Sequence, residues 1–197
     1  MIINGTACKH TRSSMLIFLD GHVAGRQPIL SIDVVGESMS IDIAGQTTAI
    51  EPHISMTVPL PVHDWRLLDG LTFDDSFPGA ACIAWCVNPQ MIDMESFRCV
   101  LRTRSGKTFA VELAATLTCY DISDSGAPVS ISVIEQFTLD SISVGIPKSS
   151  TSPVEDASRL LAKHLNPDAV SLPTLHCRYD TGKVDILAYE VHFPTTS

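Results

Sequence analysis

Two cysteines four residues apart, Cys82 and Cys86 in the stretch CIAWC, raise the question of metal or redox chemistry. In a helix, residues four apart share a face and can chelate one ion. In a strand, four steps separate them by about 13 Å, which is too far for a tetrahedral zinc site. Residues 80–87 are apolar at both parities and lie between a Pro-Gly and an Asn-Pro pair, which favours a strand covered on both faces. The alanines of this stretch keep a helix open as the alternative.

Three of the other cysteines, Cys99, Cys119 and Cys177, share a strand parity with apolar neighbours. Cysteine is among the most buried residue types and packs as a small hydrophobic side chain. We therefore expect all six cysteines to be free thiols that bind no metal, and we expect no cofactor.

A histidine and several carboxylates between residues 63 and 75 suggest acid–base chemistry. His63-Asp64 precedes the acidic loop 69–75, which holds Asp69, Asp74 and Asp75. A histidine beside carboxylates can move protons, so a hydrolase is one hypothesis. The spacing of the acids matches no EF-hand loop, and no serine-hydrolase or zinc-protease motif occurs. The alternative is an ordinary polar loop, and we expect no catalytic residue.

Basic residues gather in the segment RTRSGKTF and the residues before it. The ligand-binding candidates there are Arg98, Arg102, Arg104 and Lys107. The segment predicts a hairpin that turns at Ser105-Gly106. Strand alternation puts the arginines opposite Phe97, Cys99 and Leu101, on a strip facing solvent. This strip is either a site for a small anion or a solvated face partly neutralised by Glu112.

Two short motifs follow each other here: R-x-x-x-R at Arg98 and Arg102, then D-x-S-x-x-G at Asp121, Ser123 and Gly126. Together they resemble the PilZ family, small β-barrels that bind cyclic di-GMP through these two motifs. The resemblance implies nucleotide binding by the same five residues. In that family the arginines precede the first strand, whereas here they lie inside a predicted strand.

Apolar residues recur with a period of two along most of the chain, as in MSIDI and TFAVEL. Short strands with frequent turns predict a mainly β fold, an antiparallel sandwich or barrel-like sheets. Glu135 interrupts the apolar parity of residues 129–139 and suggests a bulge. RYDTGKVDI predicts a final hairpin turning at residues 180–182.

One helix is predicted near the C-terminal end, beginning at Pro153. Ser152 is its expected N-cap and Glu155 completes a capping box. Its apolar stripe consists of Val154, Ala157, Leu161 and Leu165. We thus expect a β body over 1–146, which can divide into two subdomains near 60–95, a linker over 147–152, and a helix and hairpin over 153–197 that pack on the body.

The composition narrows the function. Of 197 residues, 45% are apolar and 18% charged, and the net charge is −9. Such acidity disfavours double-stranded nucleic acid and anionic membranes as partners. Low charge with high apolar content favours self-association. The apolar run of residues 15–19 is too short for a signal peptide or a membrane span, so the cytoplasm is the expected compartment.

The sequence therefore predicts a non-catalytic β domain that acts as a protein-interaction or structural module and forms a homo-oligomer. Its partner is a protein or a second copy of the chain. An anion- or nucleotide-binding β-barrel that uses the basic strip is the first alternative, and a hydrolase that uses His63, Asp64 and loop 69–75 is the second.

Overall fold

The computed structural model describes residues 1–20, 27–43, 45–85, 92–93, 95–119, 127–166, 168, 170–180 and 185–192. In these ranges the chain is mainly β, with one α-helix, α1 (Pro153–His164), and a 3-10 helix at Trp65–Leu68. The predicted fold class, antiparallel strands with one short helix near the C-terminal end, is confirmed. No helix in these ranges is long and apolar enough to cross a membrane.

The strands are β1 (Ile2–Ile3), β2 (Thr6–Ala7), β3 (His10–Asp20), β4 (Ile29–Gly36), β5 (Met39–Ile43), β6 (Gln46–Ile50), β7 (His53–Pro59), β8 (Thr72–Asp74), β9 (Ala81–Trp85), β10 (Ile92–Asp93), β11 (Ser96–Ser105), β12 (Thr108–Cys119), β13 (Ala127–Pro147), β14 (Thr174–Asp180) and β15 (Asp185–His192). The main sheet runs in the order β10-β9-β7-β4-β3-β13-β12-β11-β8, with β1, β2, β14 and β15 joined off this path. A separate hairpin consists of β5 and β6.

The chain forms two compact units, each built from three segments. Unit 1 contains residues 1–15, 31–58 and 69–138, and unit 2 contains residues 16–30, 59–68 and 139–197. Strands β3, β4 and β13 contribute residues to both units. The boundaries predicted at residues 146 and 152 stay a prediction.

The basic hairpin in unit 1 forms as the sequence predicts. β11 and β12 pair antiparallel from Ser96 opposite Thr116 to Ser105 opposite Thr108. Gly106 adopts a φ of +51° in the turn, a left-handed conformation that glycine takes without steric cost. β12 continues in unbroken antiparallel register with residues 127–138 of β13. Three neighbouring strands therefore hold the arginines in a fixed register.

Glu135 does not cause a bulge, so that expectation was wrong. It lies directly opposite Val111, and the register of β12 and β13 is continuous on both sides of it. Its carboxylate is half-buried and lies 2.7 Å from the His10 ring, Oε1 to Nε2. This histidine partner lets a carboxylate occupy a strand position of apolar parity without a break in the pairing.

In unit 2, α1 begins at Pro153 as predicted, but the capping box is absent. The Ser152 side chain makes no hydrogen bond to the helix. Instead, the Ser150 hydroxyl donates to Asp156 Oδ2 at 2.6 Å and accepts from the Ser152 N–H at 3.2 Å. Ser150 therefore accepts from the Ser152 N–H, as the capping box predicts for Glu155, and the Asp156 N–H donates to the Ser152 carbonyl oxygen at 2.9 Å.

The apolar stripe of α1 is one residue shorter than predicted. Ala157, Leu161 and Leu165 are buried, whereas Val154 is exposed. Val154 lies in the first turn, where the helix side chains have not yet reached the core. β14 and β15 form the predicted final hairpin, and β15 also pairs with residues 141–147 of β13. The turn residues 181–184 lie outside the described ranges.

Candidate functional site

The arginines of β11 face solvent, as alternation predicts. Arg98 and Arg102 are exposed, while Phe97, Cys99 and Leu101 on the other parity are buried. Val100, which lies between the two arginines, is buried as well. The basic strip therefore consists of two exposed arginines with a buried valine between them, and it is not a continuous row of basic side chains.

The other two basic candidates lie at the hairpin end. Arg104 is exposed where the register shifts between Thr103 and Ser105. Lys107 is half-buried in the turn. The shift at Arg104 interrupts the alternation that would otherwise align Arg104 with Arg98 and Arg102. The structure thus places the four basic residues along one hairpin but leaves Arg98 apart from the turn.

Cross-strand register brings Arg98 beside small side chains and one isoleucine. Ile2 is opposite Ser132, Ser132 is opposite Ala114, and Ala114 is opposite Arg98. These residues and their same-parity neighbours form what we call the outward face of unit 1. Its members are Ile2, Ser96, Arg98, Glu112, Ala114, Thr116, Ser130, Ser132 and Ile134.

A groove of about 390 Å³ runs across this outward face. Small side chains of three strands, Ser132, Ala114 and Ser96 among them, line it. Ile2 and Arg98 are long, exposed side chains of its lining, whereas the lining residues Phe97 and Ile131 are buried; Ile2 and Arg98 lie at the two ends of one cross-strand row. The groove therefore offers hydroxyl groups, one aliphatic surface and one guanidinium.

The arginines near the groove form only one long ion pair among the described residues. Arg102 Nε lies 3.9 Å from Glu112 Oε1, and both side chains are about half exposed. The Arg98 guanidinium forms no ion pair with any residue that the structure describes. Its cross-strand neighbour Asp74 is engaged by Ser76, whose hydroxyl and N–H donate to Asp74 Oδ1 at 2.5 and 3.0 Å. These bonds, and then Arg98, hold the Asp74 pKa below its usual value.

The acidic loop mainly supports the edge of the sheet. Asp69 accepts the Thr103 N–H at 2.6 Å, which satisfies a backbone donor on the edge of β11. Phe73, between the acids, is fully buried in β8. Asp75 is exposed. The interpretation of residues 69–75 as a polar loop overlooks β8, because the aspartates dominate the sequence pattern around the one buried residue, Phe73.

His63 and Asp64 belong to unit 2, where each has a local partner. His63 Nδ1 lies 3.1 Å from the His164 carbonyl oxygen. Asp64 accepts from the N–H and guanidinium of Arg66, and these bonds, the side-chain contact first, lower the Asp64 pKa. Asp64 therefore does not orient His63 in the way that a catalytic dyad requires. The hydrolase hypothesis stays a prediction.

The second half of the PilZ-like pattern falls outside the described ranges, since Asp121, Ser123 and Gly126 all lie in residues 120–126. Their flanks are defined: Cys119 ends β12 directly opposite Ala127, the first residue of β13. The groove residues Thr116 and Ser130 lie three positions from these ends.

Residues 82–85 of the stretch CIAWC belong to strand β9, and the strand rather than the helix alternative is confirmed for them. Cys82 and Ala84 are buried, but Ala81 is exposed and Ile83 half-buried, so the expected cover on both faces was wrong. Cys86 lies outside the described ranges, as do the side chains of Cys119 and Cys177. In the described ranges no group of three or more His, Cys, Asp or Glu residues is placed to hold a metal ion.

The buried thiols should resist modification. Cys8, Cys82 and Cys99 are free and buried, and burial raises the pKa of Cys82 and Cys99 to about 12. Since the thiolate is the reactive form, we expect iodoacetamide at about pH 8 to leave Cys82 and Cys99 unmodified in folded protein and to label both in urea. Peptide mapping measures this, and labelling of either residue at the rate of an unfolded cysteine contradicts it.

Sequence reasoning missed the two isoleucines of the outward face. Ile134 is 80% exposed, and Ile2 is 46% exposed. For Ile134 a signal existed, because it stands out of phase with the buried parity of Val129, Ile131 and Val133. No family model, no curated protein and no solved structure matches the chain.

Proposed function

We propose that the protein is a non-catalytic interaction module that self-associates through the outward face of unit 1. The carrying observation is Ile134, which is 80% exposed in the middle of a long strand. Isolated exposed aliphatic residues are common on protein surfaces. Ile134 is different because it lies opposite Glu112 and next to the cross-strand row of Ile2, Ser132 and Ala114 on the same face. A patch of small and aliphatic side chains suits close contact between two surfaces.

A second copy of the chain is the partner that these residues favour. A twofold interface brings the same patch of two copies together, so the patch must be complementary to itself. The outward face carries both signs of charge, with Arg98 on β11 and Glu112 on β12. Across a twofold axis, Arg98 of one copy can approach the Glu112 of the other. An exclusively basic or acidic face has no such pairing.

A charge at Ile134 should abolish the association. We expect Ile134→Asp to be monomeric at concentrations where the wild type is dimeric, because an unpaired buried carboxylate at the centre of an interface is strongly unfavourable. Size-exclusion chromatography with light scattering measures the mass. Leu172→Asp is the matched control, since Leu172 is 79% exposed but belongs to unit 2. Dimeric Ile134→Asp contradicts the proposal, as does equal dissociation of both variants.

Anion binding in the groove is the second candidate function. It is supported by Arg98, which lines the groove among hydroxyl groups and forms no ion pair in the described part of the chain. A guanidinium among hydroxyls suits a phosphate or carboxylate. On this hypothesis, cyclic di-GMP is the first ligand to test.

The double variant Arg98→Ala, Arg102→Ala tests this candidate. We expect the unfolding free energy to change by less than about 1 kcal/mol, because exposed ion pairs such as Arg102 with Glu112 contribute little. If the groove binds anions, a nucleotide raises the melting temperature of the wild type and not of the double variant. Arg12→Ala, at another exposed cation, is the control and keeps the response. An identical response in wild type and double variant excludes this site.

A further inference from the structure

A second groove, of about 530 Å³, lies within unit 2 between residues 61–67 and the C-terminal end of α1. Val62, Leu67 and Ala162 give it apolar walls. His63, Lys163 and His164 bring three basic groups to the same space. A concave site with apolar walls and a few convergent polar groups is the usual form of a small-molecule site.

The hydrogen bond of His63 fixes how its ring is protonated. Nδ1 lies 3.1 Å from the His164 carbonyl oxygen, which only accepts, so Nδ1 carries the proton. In the neutral ring, Nε2 then keeps its lone pair, and protonation of the ring turns Nε2 into a donor. The same bond satisfies a carbonyl at the end of the helix, where the helix dipole otherwise disfavours anions. A backbone hydrogen bond joins the same two segments, since the Asn166 N–H donates to the His63 carbonyl oxygen at 2.9 Å.

Lys163 carries a positive charge in the groove, and His164 adds a second one when its ring is protonated. Neither side chain forms an ion pair or hydrogen bond with another residue in the described ranges. Burial, and then the nearby His63 and Lys163, lower the His164 pKa. The neighbouring positive charges disfavour the protonated form of His164, and an anion bound beside the ring stabilises that form.

The acidic groups nearby are Asp64 and Asp168, and both act on the Arg66 guanidinium. Asp64 lines the groove, but both of its oxygens accept from the Arg66 guanidinium. Asp168 acts on the same guanidinium and raises the Arg66 pKa further, after Asp64. Arg66 offsets one of these two carboxylates and Lys163 the other, so the groove becomes net positive when the His164 ring is protonated.

Leu67 indicates that the ligand has an apolar part as well as a charge. It is 62% exposed at the groove wall, although Trp65 and Leu68 in the same 3-10 turn are buried. An aliphatic side chain held open beside cations favours a ligand with an apolar part next to its charge.

We propose that this groove binds a small organic anion, a carboxylate or phosphate on a short apolar body. Lys163 and the protonated ring of His164 hold the anionic group beside the His63 ring, and Leu67 contacts the apolar part. Binding takes up protons, because the anion stabilises imidazolium over imidazole. The affinity therefore rises as the pH falls through the imidazole range, by at most tenfold per pH unit for each proton taken up.

Titration with hexanoate, followed through the imidazole NMR signals of His63 and His164, tests the proposal at one defined site. We expect saturable shifts of both rings, with a Kd about fivefold to tenfold lower at about pH 6.0 than at about pH 7.5. Inorganic phosphate and acetate serve as probes without an apolar body. A lower Kd for hexanoate than for acetate assigns a role to the apolar wall.

Three variants separate the contributions. Lys163→Gln, at an exposed position that leaves the fold intact, should raise the Kd for all three probes at least about fivefold. Leu67→Ser should weaken hexanoate and leave phosphate unchanged. Arg98→Ala, in the other groove, should change none of these values. Absence of saturable shifts at His63 and His164, or an unchanged Kd in Lys163→Gln, overturns the proposal. Both results are independent of whether the outward face of unit 1 self-associates.

Discussion

Replacing Leu161 by alanine should lower the free energy of unfolding by about 2–5 kcal/mol. Leu161 is 3% exposed in the middle of α1, and the helix contacts β15. Truncation removes buried aliphatic surface and leaves a cavity that the neighbouring strand cannot fill completely. Urea denaturation, monitored by circular dichroism, measures the change.

Leu160→Ala is the matched control for this prediction. It deletes the same atoms from the same helix and leaves helix propensity equally changed, but Leu160 is only half-buried. We expect its cost to be less than half that of Leu161→Ala. A loss below about 0.5 kcal/mol for Leu161→Ala would mean that α1 is solvated and contributes little to the core.

Replacing Phe73 by alanine should cost about 3–5 kcal/mol, although Phe73 lies in a segment that reads as a polar loop. Its ring is fully buried and meets the Phe77 ring edge to face, with the centroids 5.1 Å apart. It sits in β8, opposite Cys99 of β11, at one end of the main strand order. The variant loses the buried ring and the aromatic contact together.

Phe77→Ala separates these two contributions. It removes the same aromatic contact by truncating the other ring, and Phe77 is only half-buried. We expect it to cost about 1–2 kcal/mol, close to an aromatic pair with modest burial. Denaturation in urea gives both values. If Phe73→Ala costs less than about 1 kcal/mol, loop 69–75 is a solvated loop and β8 does not anchor the edge of β11.

The period-two pattern was sufficient to predict most long strands, because their apolar parity is continuous. β4 and β7 alternate between buried and half-buried residues along their whole length. The basic hairpin was predictable for the same reason, together with a glycine at the turn position that needs positive φ. Local patterns of this kind carry the information that decides local structure.

The misses occurred where a distant residue decides the outcome. Glu135 tolerates its apolar position because His10, more than a hundred residues away, pairs with it. β8 forms because Phe73 is buried in the core. The three aspartates of residues 69–75 make this segment look polar in the sequence.

The candidate site was predictable in part. Alternation identified Arg98 and Arg102 as exposed, but it could not show that Ala114 and Ser132 leave a groove beside Arg98. That groove depends on the register of four strands, including β1, whose two residues carry no periodic signal. The second groove brings His63 and His164 together across a hundred residues of chain, which no spacing rule detects.

The mass of the wild-type protein in solution tests the central proposal most directly. Sedimentation equilibrium over low to high micromolar concentrations should show a transition from the chain mass of 21.3 kDa toward twice that value. The proposal predicts that dimer mass dominates at the highest concentrations, because an isologous contact closes at two copies. A single species of 21.3 kDa at every concentration would contradict self-association through the outward face.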